Sequence, residues 1–167
     1  MKPEIYLLLS NVRSSLNVGS LLRTADGLGV KEVYLCGYTP YPQLPNDDRL
    51  PHLSAKINRR IKKTALGAES SQAWCYFPDA SVIISKLKIQ EVDIIALEQT
   101  VSSINLTSYK PGRSVCLVVG SETEGIDQDI LNSADTIVEI PMLGRKESFN
   151  VAVAGGMALF YLKNMLK

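Results

Sequence analysis

Histidine is almost missing from this 167-residue chain: His52 is the only one. Without a second imidazole there is little from which to build a zinc centre or a Ser-His-Asp triad. His52 itself lies in a proline-flanked loop and reads as a surface residue, so no metal is expected. Cysteine is scarce too. Cys36, Cys75 and Cys116 are scattered without C-x-x-C spacing, and Cys36 and Cys116 sit in or beside apolar runs. Reduced core thiols of a cytoplasmic protein are expected, not a disulfide framework. A surplus of either charge is absent, since 18 Lys and Arg against 17 Asp and Glu leave a formal net charge of +1. Any nucleic-acid partner would have to be met by a local basic patch. The longest uncharged run, Ser148 to Leu162, is shorter than the roughly 20 residues of a membrane span. The opening MKPEIYLLLSNVR is too short in apolar residues for a secretion signal and has no small-residue cleavage site. Neither G-x-G-x-x-G nor G-x-x-x-x-G-K-[ST] occurs, which leaves a dinucleotide fold and a phosphate-binding loop unsupported.

What is present is an alternation of short apolar runs with helical patterns. Strands are predicted at Ile5–Leu9, Glu32–Leu35, Trp74–Phe77, Asp93–Leu97, Val115–Val119 and Thr136–Ile140. Helices are predicted at Asn17–Leu28, the Leu53–Leu66 region, Ala80–Leu87, Gln128–Ser133 and Phe149–Leu166. Buried Val/Ile/Leu runs separated by helices indicate an α/β fold, a mostly parallel sheet covered on both faces. No repeat or linker breaks the chain, so residues 1–167 are expected to form a single domain. The proline-rich GYTPYPQLPNDDRLPHLS (37–54) reads as a long irregular loop, and such loops are usually functional or mobile.

Ligands of open α/β sheets bind outside the carboxyl ends of the strands, and three stretches there are unusual. In NVRSSLNVGSLLRTADGLG (11–29), Val18, Leu21, Leu22, Ala25 and Leu28 form one apolar helical stripe. Arg23 falls opposite, on a face shared with Gly19, Ser20 and Gly27, where small residues leave room for something large to approach. Arg13 and Arg23 could together grip a phosphate, because guanidinium matches phosphate oxygens bidentately. A solvated helix arginine behind an ordinary capping loop satisfies the same spacing. VCLVVGSETEGI (115–126) runs a buried strand into Gly120, then Glu122, Glu124 and Gly125. This is either a ligand lip that lets backbone approach closely or a plain βα turn with acids before a helix. In IVEIPMLGRKESFNVAVAGGMALFYL (137–162), Ser148 and Asn150 open a helix that is apolar on all sides and rich in glycine and alanine. A helix of that kind is expected to be buried all round, against a subunit partner or the chain's own loops. The Asp93–Thr100 stretch DIIALEQT is a further strand that ends in polar residues.

NVRSSLNVGSLLRTA, VVGSETEGI and IPMLGRKESFNVAVA, in that order, resemble the three motifs of the SPOUT-class, SpoU/TrmH-type RNA ribose 2′-O-methyltransferases. The likeness covers both ends of the chain and supports its middle less strongly. It implies S-adenosylmethionine as methyl donor, a C-terminal trefoil knot, and a homodimer with active sites near the subunit interface. Carried over by position, Arg23 matches the family's catalytic arginine and Asn17 its first-motif asparagine. Glu122 matches the second-motif acid, and Ser148 and Asn150 the third-motif polar pair. The donor is expected on the loops containing Leu97, Gly120, Ile140, Met142 and Phe149. Ile126 and Phe149 stand where leucine is commoner in the family, and the extra N-terminal RNA-binding domain of some relatives is not expected.

AKINRRIKKTALGAE (55–69) places Lys56, Arg59, Arg60, Lys62 and Lys63 close together. Beside the resemblance, the cluster reads as a contact for RNA phosphates, and Arg13 joins it as an expected RNA contact. Trp74 and Tyr76 have strand-like spacing that favours core packing over base stacking. The function expected is S-adenosylmethionine-dependent 2′-O-methylation of transfer or ribosomal RNA. The alternatives are a methyltransferase of the same class acting on an RNA base and a non-catalytic RNA-binding module of the same fold.

Overall fold

The computed structural model describes residues 2–166; Met1 and Lys167, the two ends of the single-domain expectation, lie outside the described residues. In chain order the elements are β1 (Ile5–Ser10), α1 (Ser15–Leu28), β2 (Glu32–Cys36), α2 (Pro51–Ala65), α3 (Ala68–Ser71), β3 (Trp74–Phe77), α4 (Ala80–Ile89), β4 (Asp93–Leu97), β5 (Ile104–Asn105), β6 (Val115–Val119), α5 (Gln128–Ser133), β7 (Thr136–Glu139) and α6 (Val151–Met165). The strands form one seven-stranded sheet in the order β3-β2-β1-β6-β4-β7-β5, and every pairing is parallel.

Why the strands read as unbroken apolar runs follows from their place in this sheet. Successive side chains of a strand point to opposite faces, and here both faces carry a core. Leu7, Leu9, Val33, Leu35, Leu117 and Val119 meet α1, α2 and α6 on one face. Tyr6, Leu8, Tyr34, Cys116 and Val118 meet Ile83, Ile84 and Leu87 of α4 and Ile130 of α5 on the other. In β1 the register sets Leu7 between Val33 and Leu117, so the central strand is walled by apolar neighbours. All six residues of β1 and all five of β6 are buried.

The helix ends differ from the sequence expectations for local reasons. The Ser14 hydroxyl accepts from the Asn17 N–H and starts α1 at Ser15, two residues before the predicted position. Gly29, at φ +64°, ends it. Pro51 at the first turn starts α2 ahead of Leu53, which places His52 on a helix instead of in the loop. Phe149 precedes α6, and Asn150 caps it through the Ala152 N–H. The edge strand β5 was not predicted: two exposed residues leave no periodicity to read. The proline-rich loop is pinned by Arg49, whose guanidinium lies 3.6 Å above the Tyr41 ring. Arg49 also donates to the Tyr41 and Pro42 carbonyls.

One expectation about small residues is corrected. Gly19 does not share an open face with Arg23. It is buried where α1 crosses α2, and a Cβ there would run into the Ile61 carbonyl and the Thr64 hydroxyl. The chain's own elements cover only part of the last helix, which leaves the remainder to the subunit partner that was the other expectation. Ala158, Leu159 and Leu162 face the core, but Val153, Met157 and Phe160 are 52%, 37% and 62% exposed and form one stripe. Its glycines do serve a close approach, made by α1: a Cβ on Gly155 would lie 2.8 Å from Leu21 Cδ2. Gly156 is looser, with Thr24 Cγ2 at 3.7 Å from its notional Cβ.

Candidate functional site

At the carboxyl ends of β4, β6 and β7 the chain leaves a cavity of about 710 Å³. Three loops build it: residues 98–100 after β4, 120–126 after β6, and 140–150 between β7 and α6. Its apolar wall includes Leu97, Val119, Ile140 and Phe149, and Gly120 forms part of its backbone floor. Glu98, Glu122, Glu124 and Glu139 also line it, and no lysine, arginine or histidine does. The cavity therefore has an apolar slot and a negative rim, which suits a partly aromatic ligand that carries positive charge.

The loop after β6 is a closed hairpin. Ser121 and Gly125 exchange both backbone hydrogen bonds, at 2.9 and 3.0 Å. Gly125 sits at φ +72°, a conformation that glycine tolerates best. The hairpin turns Glu122 away from its own helix and onto the start of α1. The Glu122 carboxylate accepts from the Arg13 N–H at 2.9 Å, the Ser14 N–H at 3.2 Å and Asn17 Nδ2 at 2.7 Å. Desolvation raises its pKa, but these hydrogen bonds outweigh it and hold the carboxyl below its usual range. Asn17 then accepts from Asn150 Nδ2 at 3.2 Å. Three stretches far apart in sequence thus meet in one hydrogen-bonded chain, Asn150–Asn17–Glu122.

Of the residues singled out from sequence, Leu97, Gly120, Glu122, Ile140, Ser148, Phe149 and Asn150 line the cavity. Asn17 joins them through its two hydrogen bonds. Arg13 lies on the outer side of the same hairpin, with Nη1 3.4 Å from Thr123 Oγ1. Met142 is not brought to the cavity; it is half-buried in the loop that follows β7. Arg23 is not brought there either. It follows Asn17 by six residues on α1, so the two occupy different helical faces. Its side chain is exposed and, among the described residues, has no ion-pair partner. Lys56, Arg59, Arg60, Lys62 and Lys63 are exposed on α2, outside the cavity. Trp74 and Tyr76 pack against the core, as their spacing indicated.

Glu98 is the residue that sequence reasoning missed. It stands one position beyond β4, and its carboxylate accepts from the Ile126 N–H at 3.0 Å, inside the loop after β6. The only signal was the polar end of DIIALEQT. The thiols offer no nucleophile: burial pushes Cys36 and Cys75 up to about 12, and raises Cys116 as well.

The chain matches the family model described as "SpoU rRNA Methylase family" over residues 48–160. It is 27% identical over 162 residues to the "tRNA (guanosine(18)-2'-O)-methyltransferase" of Escherichia coli (strain K12), an alignment covering 95% of this chain and 62% of that protein. To the "23S rRNA (guanosine-2'-O-)-methyltransferase RlmB" of Bordetella pertussis it is 28% identical over 158 residues, covering 95% of this chain and 58% of the relative. The chain therefore spans about three-fifths of the length of these curated relatives. Among solved structures, the A. aeolicus "TrmH/SpoU tRNA modifying enzyme" superposes with a TM-score of 0.80 at 22% identity, over 99% of this chain and 76% of the other. The protein of "Structural insights into the 2-OH methylation of C/U34 on tRNA" superposes with a TM-score of 0.75 at 20% identity, over 99% and 98% of the two chains.

Proposed function

This chain belongs to the SpoU rRNA methylase family, and from that premise we propose that it is an S-adenosylmethionine-dependent ribose 2′-O-methyltransferase acting on transfer or ribosomal RNA. The observation that carries the reading is the Asn150–Asn17–Glu122 chain at the mouth of the cavity. It joins the three stretches that resemble the family's motifs, and it does so beside a slot of suitable chemistry. S-Adenosylmethionine offers an adenine for the apolar wall and a sulfonium and an ammonium for the glutamate rim. The loops at Leu97, Gly120 and Ile140, with the Phe149 ring, would hold the adenine, and Met142 lies outside the cavity they line.

When bound, the donor supplies an electrophilic methyl group. The protein's own task is to hold a ribose hydroxyl in line with that methyl and to stabilise the alkoxide as it forms. Positioning alone contributes several kcal/mol to such a step. Asn17, Asn150 and Ser148 supply the hydrogen-bonding groups that orient the ribose, and Glu122 fixes Asn17. A guanidinium stays charged at neutral pH, so the role of Arg23 is to bind the adjacent phosphate and stabilise the developing oxyanion. Arg13 and the basic face of α2 hold the flanking RNA backbone.

A homodimer belongs to the same proposal, because a single copy leaves Arg23 outside its own cavity. The apolar stripe Val153, Met157 and Phe160 of α6 is left exposed in a single copy, which offers a self-complementary face. In such a pair the exposed Arg23 would be free to serve a cavity other than its own. The trefoil knot is proposed on the resemblance to the family's motifs. The reduced thiols and an RNA substrate support action in the cytoplasm. Among the described residues no helix is long and apolar enough to cross a membrane.

Methylation of total RNA from a deletion strain with labelled donor, followed by digestion to nucleosides, tests the reading. Label on the 2′-oxygen supports it. Label on a base would move the activity to another member of the class, and absence of donor binding by calorimetry would leave only an RNA-binding module.

A further inference from the structure

We propose that Glu98 is the positioning residue that couples the donor cavity to the start of α1, an inference that rests on the methyltransferase reading of that cavity. Its backbone N–H is bonded to the Val138 carbonyl of β7 at 3.0 Å, so its base is fixed in the sheet. Its two carboxylate oxygens accept from different donors: Oε1 from the Gln99 N–H at 2.9 Å and Oε2 from the Ile126 N–H at 3.0 Å. The carboxylate lies against Gly125, where any Cβ would run into Oε2. Glu98 thereby clamps the foot of the hairpin that the Ser121–Gly125 pair closes. At the tip of the same hairpin Glu122 holds the Arg13 and Ser14 N–H groups and Asn17. The path from the donor strand β4 to the polar start of α1 is therefore continuous: Glu98, the hairpin, Glu122, Asn17. Through this path Glu98 would hold the hairpin and Asn17 in register with a donor bound in the cavity.

Glu98→Gln tests this with little change of volume. An amide keeps one acceptor oxygen and turns its NH₂ toward one of the two N–H donors, so one clamp bond becomes a donor–donor contact. Donor affinity by calorimetry should fall about tenfold or more, the size of one charge-assisted hydrogen bond. Amide exchange should quicken not only at Ile126 but also at Arg13 and Ser14, across the hairpin. Saturating donor should return the turnover to within about threefold of wild type, because the bound donor re-orders the loop; the Michaelis constant for donor takes most of the loss. A merely structural role would instead lower the thermal midpoint and the apparent turnover through the folded fraction, and leave the Michaelis constant for donor near wild type. Gly125→Ala presses on the same contact from the other side. The two single effects on donor affinity should therefore fail to add in the double variant. Wild-type exchange at Arg13 and Ser14 in Glu98→Gln, or strict additivity with Gly125→Ala, overturns the coupling. If the unmodified protein binds no donor, the methyltransferase reading fails, and exchange at Arg13 and Ser14 still decides whether Glu98 governs the start of α1.

Discussion

Replacing Glu122 by alanine removes the acceptor of three hydrogen bonds at once, to the Arg13 N–H, the Ser14 N–H and Asn17 Nδ2. A bond to an ionised group contributes about 1.5–3 kcal/mol when well shielded. This site is open on its outer side, so water re-occupies the freed donors and each loss falls nearer about 1 kcal/mol. The sum is about 2–3 kcal/mol, which for a chain of this size lowers the thermal midpoint by about 4–12 °C. The pH dependence separates this cause from simple loss of packing. The carboxyl of Glu122 is held below its ordinary value of 4.5 in the folded chain. Its contribution is therefore fully present above that value and disappears as pH falls through the lower, folded-state value. Thermal unfolding of both proteins across the acid range should show a gap that is wide at neutral pH and closes in strong acid. A gap of the same width at every pH would refute the argument, since packing does not titrate. A gap absent at neutral pH would show that the hairpin does not hold the start of α1.

Arg23→Ala should reduce single-turnover methyl transfer by about 10²–10³-fold while donor affinity stays near wild type. Arg23→Lys keeps the charge but loses the planar fork and should rescue little; a rate within a few-fold of wild type in Arg23→Ala would make the residue a solvated helix arginine. Changing Arg59, Arg60, Lys62 and Lys63 together to alanine should weaken RNA binding and flatten its salt dependence by a slope of about 3, read from titrations at several salt concentrations. An unchanged slope would leave α2 as a solvated face. Light scattering should report twice 18.3 kDa for the native chain and the monomer mass for Phe160→Asp, which sets a charge on the exposed stripe of α6. A fully active monomer would remove the interface from the mechanism.

The architecture was legible in the sequence because its signals are local. Runs such as Val115–Val119 can be buried on both sides only in a covered parallel sheet, and the stripe Val18, Leu21, Leu22, Ala25 can face only one way on a helix. Asn17, Glu122 and Asn150 were singled out through the resemblance of their stretches to the family's motifs; their local pattern alone fits helix caps and a βα turn equally well, as the Asn150 cap of α6 shows. What only the tertiary structure decided is which of them meet. Gly19 and Arg23 share a helical face on a wheel, yet α2 occupies the ground over Gly19 and leaves Arg23 in solvent. Phe160 belongs to a helix with no polar face, yet the sheet and α1 cover only part of it. Glu98 and Glu122 look alike as acids after strands, but one braces the foot of a hairpin and the other grips the next helix from its tip. Periodicity assigns a residue to a face of its own element, and burial of that face follows. Which element arrives there, and which backbone N–H a carboxylate finds, depends on the order of strands in the sheet and the path of the loops, to which no local pattern responds.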